Sequence, residues 1–358
     1  MKAKIILVLI LSLVVSCKAK TNQEIAKPIE KPVLHGYVLT LLGDAKIEGR
    51  SVSGYGDWIK EGEKLRVGLR SFVDLEFQYS GLNLCLRLEP GSVFVFNQFS
   101  PNEKKLSLEL ELGTGIFQAG ENKDFQVEVA TPLALIESGQ SAFRLDVALD
   151  GLSRTIVTEG EVKIRPLVPV LDRKDTGNLP PIYAGLRKNL EKRVLSLPSG
   201  MKSEIDIEKA KSFSESLPIK EINSLLNSEE NLGANIELIK KSMEDLPLPE
   251  LEFKKAEAAV LQDIESHLVE LKPISLQPTE LKLAIRNRNQ ENKDLLLQRF
   301  ETYSQSKLQT VHIRSGGDVT GIPIEKPTEE KGPLKFLTLE GEVLIEPEEI
   351  IEPEEAAQ

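Results

Sequence analysis

The sequence predicts an α+β chain, with a mainly β amino-terminal domain, an α-helical middle and a small β carboxy-terminal module. Three observations predict it. Between Leu34 and Pro166 short segments alternate apolar and polar residues, with glycine-bearing turns between them. Beyond Met201 the apolar residues fall into stripes of helical period, and after Val311 two hairpin-like turns return. The 358 residues exceed one average domain, and 40% hydrophobic with 28% charged residues is the balance of a folded chain.

The first element is an export signal over residues 1–16. Lys2 and Lys4 precede an apolar run from Ile5 to Val15 that is too short to span a bilayer as a stable helix. It ends Leu13-Val14-Val15-Ser16-Cys17, which resembles a lipobox: an apolar residue three before the cysteine and a small one just before it. Such a cysteine takes a diacylglyceryl group as a thioether, and cleavage frees its amine for a further acyl chain, such as palmitate. Each buried methylene contributes about 0.8 kcal/mol, so two or three chains hold essentially permanently. Cys17 is therefore the expected lipidation residue and a membrane the expected partner. Lys18-Ala19 carries no aspartate of the kind that retains lipoproteins at the inner membrane in some bacteria, which favours the outer membrane. The rest of 17–33 is polar and proline-punctuated, and reads as a tether.

Residues 34–166 read as strand after short strand: Ser71 to Phe77, Ser92 to Phe96, Leu106 to Leu112, Phe125 to Val129 and Thr155 to Ile164. That spacing predicts a β sandwich, barrel or solenoid-like roll. Cys85 sits in the alternating stretch Leu82 to Leu88 and, with Cys17 lipidated, has no partner within the chain; it is a buried free thiol or pairs between molecules. Trp58 is expected as a core anchor whose ring N–H finds one partner.

A series of motifs runs through this region in order. Gly43-Asp44-Ala45 opens it; Trp58, Glu61-Gly62-Glu63-Lys64-Leu65 and Gly68-Leu69-Arg70-Ser71 follow, then Val73-Asp74-Leu75-Glu76-Phe77. Leu86-Arg87-Leu88-Glu89-Pro90-Gly91-Ser92, Leu112-Gly113-Thr114-Gly115, Thr131-Pro132-Leu133-Ala134 with Phe143, and Glu159-Gly160-Glu161-Val162 complete it. The series resembles the FecR-type periplasmic domain over roughly a third of the chain. Where that family carries an arginine-glycine-threonine run, this chain has Gly139-Gln140-Ser141, so whatever that arginine does is in doubt here. In its best-known members the domain receives a receptor and a cytoplasmic segment controls a sigma factor. Here export begins at the first residues, so any signalling would pass through a second, membrane-spanning protein.

Residues 167–182 form a proline-rich connection, and the stretch from Arg193 to Met201 reads as an extra strand and turn. Over 183–309, three stripes follow: Leu232, Ile236, Ile239, Met243, Leu246; then Ala256, Val260, Ile264, Leu268; then Leu281, Ile285, Leu295, Leu296, Phe300, opened by the cap Thr279. They belong to a small helical unit or to a partner-binding or coiled-coil surface. Residues 310–346 resemble an Sm-like β module or form a plain meander, and 347–358 read as an acidic, disordered tail.

The formal charge of −11 deepens once the leader with Lys2 and Lys4 is gone, which argues against nucleic acid as a partner. The three histidines, His35, His267 and His312, show no metal-ligand spacing, so no metal or cofactor is expected. No nucleophile elbow, phosphate loop or zinc helix appears, and no catalytic residue is assigned. The expected function is non-catalytic binding of an envelope protein, peptidoglycan or glycan by a membrane-anchored lipoprotein; a signalling component is the alternative and a hydrolase a more distant one.

Overall fold

Three long strands carry the architecture. In the computed structural model, which describes residues 33–120, 124–172, 181–226, 232–271, 278–325, 333–338 and 341–351, these are β9 (Lys105–Ala119), β11 (Ala134–Val147) and β12 (Ser153–Pro166). Their two halves have different neighbours. The first half of β9 pairs with β8 (Val93–Ser100) and, in parallel, with β10 (Gln126–Ala130); its second half pairs with β7 (Leu82–Leu88) and β11. Likewise β12 pairs near its end with β13 (Leu195–Pro198) and near its start with β14 (Met201–Ile205).

The sheet thus folds over into two layers. One runs β3 (Arg50–Ser51), β2 (Ala45–Ile47), β5 (Lys64–Val67), β8, β9, β10, β11, β12 and β13. The other runs β4 (Trp58–Lys60), β1 (His35–Leu42), β6 (Phe72–Tyr79), β7, β9, β11, β12, β14 and β15 (Phe253–Lys255). Register shifts at Val93/Phe94 and Ser138/Ser141 accompany the crossing, as bulges do where strands bend. The alternation read from the sequence supplies the core between the layers: Leu106, Leu108 and Leu110 from one, Leu84, Leu86, Leu88 and Phe117 from the other, all fully buried. The molecule is mostly β with a mixed sheet, and α+β overall.

Several motif residues are staples of this roll. Ser92 Oγ accepts from the Thr114 amide and donates to the Thr114 carbonyl, both at 3.0 Å. Thr131 Oγ1 accepts from the Ala134 amide at 2.8 Å and shares a 2.7 Å bond with Ser153 Oγ. Gly113 has φ of 88°, and a Cβ there would lie 2.6 Å from the Ser92 backbone, so only glycine fits.

Trp58 is not a core anchor. It lies on the edge strand β4, where alternation sends Ile59 inward and leaves the indole 41% exposed beside His35.

The helices fall into two groups. Pro169–Asp172 (α1), Pro181–Leu190 (α2), Ile207–Ser216 (α3), Ile219–Leu226 (α4) and Leu232–Glu244 (α5) share a cluster of their own with Leu171, Leu186, Phe213, Ile222 and Ile239. By contrast Ala258–Glu270 (α6) and Pro278–Glu291 (α7) bury Ile264, Leu268 and Ile285 on the outer face of the second layer, against Leu39, Cys85, Ile116, Ala142 and Ile156. Lys293–Ser304 (α8) packs Leu296 and Phe300 on Leu42 and Phe72. Thr279 lies inside the first turn of α7 rather than ahead of it, because the helix begins at Pro278. Leu295 is 48% exposed, since its neighbour Leu296 takes the inward position. The side chains of Leu232, Ile236 and Leu281 lie outside the described ones.

Four further strands, β16 (Gln309–His312), β17 (Asp318–Glu325), β18 (Leu334–Thr338) and β19 (Gly341–Ile345), form an antiparallel meander. Its Ile322 and Leu337 join the cluster under α8. Residues 347–351 are not free tail: a 3-10 turn at Pro347–Glu349 brings Ile350 opposite Ile313, with the Ile351 amide donating to the His312 carbonyl at 2.9 Å. The end of the β16 edge is paired in this way, the Arg314 amide donating to the Glu349 carbonyl at 2.7 Å as well. The rest of the acidic segment, like Cys17 and the tether up to Pro32, lies outside the described residues. No described helix is long and apolar enough to cross a membrane.

Candidate functional site

Where α6 and α8 meet the sheet, the apolar interface gives way to buried charge. On β7 the leucines of Leu82 to Leu88 point into the core, so Cys85 and Arg87 point out, toward the helices. Arg87 is fully buried. Its guanidinium grips Asp74 on β6 with two bonds, Nε to Oδ1 at 2.7 Å and Nη2 to Oδ2 at 2.9 Å, and Nη1 reaches Glu270 Oε2 at 2.7 Å. Its Cζ sits 4.4 Å from the centre of the Phe72 ring. Burial alone would favour loss of the proton, but Asp74 and Glu270 outweigh it and hold the group charged.

The second arginine comes from α8. Arg299 Nε contacts both oxygens of Glu270, at 2.7 and 2.8 Å, so one carboxylate ties α6 to the sheet and to α8. Arg288 of α7 donates to the Glu270 carbonyl as well.

His267 lies between the two guanidiniums, with Nδ1 3.1 Å from Arg87 Nη1 and Nε2 2.9 Å from Arg299 Nη1. Burial first, then the charges of Arg87, Arg299 and Arg144, push its pKa down to about 2, so the ring is neutral. A neutral imidazole has one lone pair, so only one of the two arginines donates to it; Nε2 also lies 3.8 and 3.7 Å from Glu89 Oε1 and Asp263 Oδ1. Those contacts are dipolar rather than ionic. Glu89 itself is pushed up by burial, against the pull of Arg144 and a 3.2 Å bond from the Tyr303 hydroxyl. Burial and Glu89 in turn push Tyr303 up.

The cluster opens at Arg144 and Asp263 onto a cleft of about 570 Å³ between α6 and strands β11, β12 and β14. Six charged side chains line it, and each is held. Arg144 contacts Asp146 at 2.8 Å, Asp263 at 3.5 Å and Glu89 at 3.7 Å; Arg154 is bound to Glu204 at 2.7 Å; Lys202 is bound to Glu257 at 2.6 Å. Such a lining offers fixed hydrogen-bonding partners of both signs and holds no hydroxyl or thiol. Among the described residues no group of histidine, cysteine, aspartate and glutamate is placed to hold a metal ion.

Of the residues singled out by sequence, Cys17 lies outside the described residues. Cys85 is a buried free thiol whose pKa is raised well above the usual range by burial first and the nearby Glu76 next, which makes it a poor nucleophile. Gly139-Gln140, where the FecR-type pattern has its arginine, sits exposed at the bend of β11, while Ser141 shares a 2.6 Å bond with Ser138. Arg87 was legible as part of a motif, but its partners were not. The signal for them is that Asp263, His267 and Glu270 recur at helical spacing beside the apolar Ile264 and Leu268, a charged row where a helix borders its buried face.

No family model matches this chain. No curated protein matches it either. Among solved structures, two crystal structures of a "putative anti-sigma factor" from Parabacteroides distasonis are similar to it, each at 13% identity with a TM-score of 0.28. The likeness covers 57% of this chain and 91% and 90% of the respective structures.

Proposed function

We propose that this chain is a lipid-anchored protein of the bacterial cell envelope, held by acyl chains on Cys17 and tethered through residues 17–33, that binds another envelope component without catalysing a reaction. One observation carries the binding part. A cleft of about 570 Å³ has all six of its charged lining groups engaged by counter-ions, an arrangement suited to recognition by fixed partners rather than to proton or group transfer. The leader and lipobox at Lys2 to Cys17 support the location, and with it a partner of the envelope: a protein, peptidoglycan or a glycan.

A photo-crosslinking amino acid at Ala259, exposed on the cleft wall, tests the binding in living cells. A discrete adduct that a probe at the distant Leu69 does not give is the expected result. Identical or absent adducts at the two sites would count against it. For the anchor, Cys17→Ser should abolish fatty-acid labelling and leave the precursor uncleaved or the mature chain released; persistent labelling removes the lipid from the account.

The order of the FecR-type motifs from Gly43 to Val162 favours a second reading, an envelope signalling component acting through a membrane-spanning regulator. Deletion followed by transcript profiling separates the two: an unchanged regulon eliminates signalling and leaves binding.

A further inference from the structure

A second groove, remote from the first, lies between the α7–α8 junction and the carboxy-terminal sheet, with a volume of about 270 Å³. We infer that it is a site for a small sugar acid, a single ring bearing one carboxylate. The charge comes first. Arg286 of α7 and Lys293 of α8, seven residues apart, both line the groove, and neither has a carboxylate within 4.0 Å among the described residues. Their neighbours on the same helices, Arg288 and Arg299, are committed to Asp74 and Glu270. In a chain with 56 acidic and 45 basic residues, two uncommitted cations facing one concavity are a site for an anion. Asp318 on the same lining, bound by His312, sets a limit: its negative charge disfavours a dianion such as a phosphate monoester and suits a single carboxylate.

The remaining lining matches a hydroxylated ring. Gln290 and Thr320 carry groups that both donate and accept, as sugar hydroxyls do. The Tyr55 ring, packed on the cluster beneath α7, and Leu297 supply apolar surface for the C–H face of such a ring. One wall is preorganised: Thr40 Oγ1 donates to Asn289 Oδ1 at 3.1 Å, and Asn289 Nδ2 donates to the Leu39 carbonyl at 3.0 Å. The volume falls just below the range of about 300–1,000 Å³ for small-molecule pockets, room for one ring rather than a chain.

The inference rests on the envelope reading only for where such sugars would be met. Titration calorimetry on the full-length protein in detergent, with glucuronate, glucose, acetate and inorganic phosphate as probes, tests it directly. Glucuronate is expected to bind about ten- to a hundredfold more tightly than glucose, the ratio one charge-assisted pair supplies. The Arg286→Gln/Lys293→Gln double variant should lose that preference with an unchanged thermal midpoint, since both side chains are exposed. Tyr55→Ala should weaken glucuronate but not acetate. Equal binding of glucuronate and glucose, acetate or phosphate binding as tightly as glucuronate, or a double variant that keeps the preference would each overturn the assignment. Because binding is read in vitro, its failure beside an intact Ala259 adduct in cells removes this site alone; loss of the adduct beside intact glucuronate binding removes the cleft reading alone.

Discussion

The helix-bearing layer of the roll buries both its faces, and the two faces are built from different materials. Inward, Leu84, Leu86, Leu88, Phe117 and Phe143 meet other hydrocarbon, with Phe117 and Phe143 stacked at 4.9 Å. Outward, under α6 and α8, Arg87, Asp74, His267 and Glu270 meet one another, with Ile116 and Cys85 beside them. Hydrophobic contact is non-directional, so the inner face tolerates small slips of one layer on the other. The outer face does not: displacing α6 by one residue would part Glu270 from Arg87, which would keep only Asp74 within the sheet. The comparison teaches that the core holds the roll together while the ion cluster sets where α6 and α8 dock.

The largest test breaks each face once. Arg87→Leu strips the buried Asp74 of its two-bond partner and leaves Glu270 with Arg299 alone, and should cost about 3–5 kcal/mol. Phe117→Ala opens a cavity in the core at a similar cost of about 3–5 kcal/mol. What separates them is rescue. Replacing Arg87, Asp74 and Glu270 together by apolar residues of similar volume should restore much of the stability, because the fully buried charges go together and only the part-exposed Arg299 and Arg288 lose a carboxylate. Chemical denaturation measures all three, and a triple variant no more stable than Arg87→Leu would contradict the account.

Acid sharpens the contrast next. His267 titrates at about 2 in the folded protein, against about 6.5 in an unfolded chain. Below about 6.5 the unfolded chain therefore takes up a proton that the folded one refuses, and stability falls by about 1.4 kcal/mol per pH unit as the solution is acidified. Glu89, raised by burial, acts in the opposite sense: its contribution declines as pH rises from the ordinary carboxylate range toward its folded pKa. His267→Asn removes the first effect and keeps the second, so urea midpoints between pH 4.5 and 7.5 should slope less steeply than in the wild type. Parallel slopes would show that the ring is not held neutral.

At the rim the ion cluster should behave as ordinary surface charge. Asp263, with its side chain 53% exposed, should contribute no more than about 1 kcal/mol when changed to Asn, and 0.5 M salt should erase the difference. The smallest effect is expected on the far edge of the same layer, where Trp58→Ala should cost about 0.5 kcal/mol or less because the indole is 41% exposed on an edge strand. A loss of several kcal/mol there would restore Trp58 as an anchor.

Much of the fold was legible because periodicity reports burial. The leucines of β7 and β9, the free buried Cys85 and the stripe Ile264–Leu268 all fell where their spacing put them. Trp58 and Leu295 did not, because residue type indicates preference for an interior but not which strand is an edge or which of two adjacent leucines faces in. Both clefts were invisible for the same reason: Arg144, Lys202 and Asp263, or Arg286 and Thr320, come from separate elements whose juxtaposition no local pattern encodes.

By itself the sequence determined the class of the fold and the succession of strands, helices and strands again, because short-range spacing carries that information along the chain. Only the tertiary structure decided that β9, β11 and β12 cross between layers, that one helix group stands on its own core while the other docks on the sheet, and that Arg87 meets His267 and Glu270 across 180 and 183 residues of sequence. Charge pairing depends on distance in space. That distance is set by the packing of whole elements, which becomes definite only when all of them are in place.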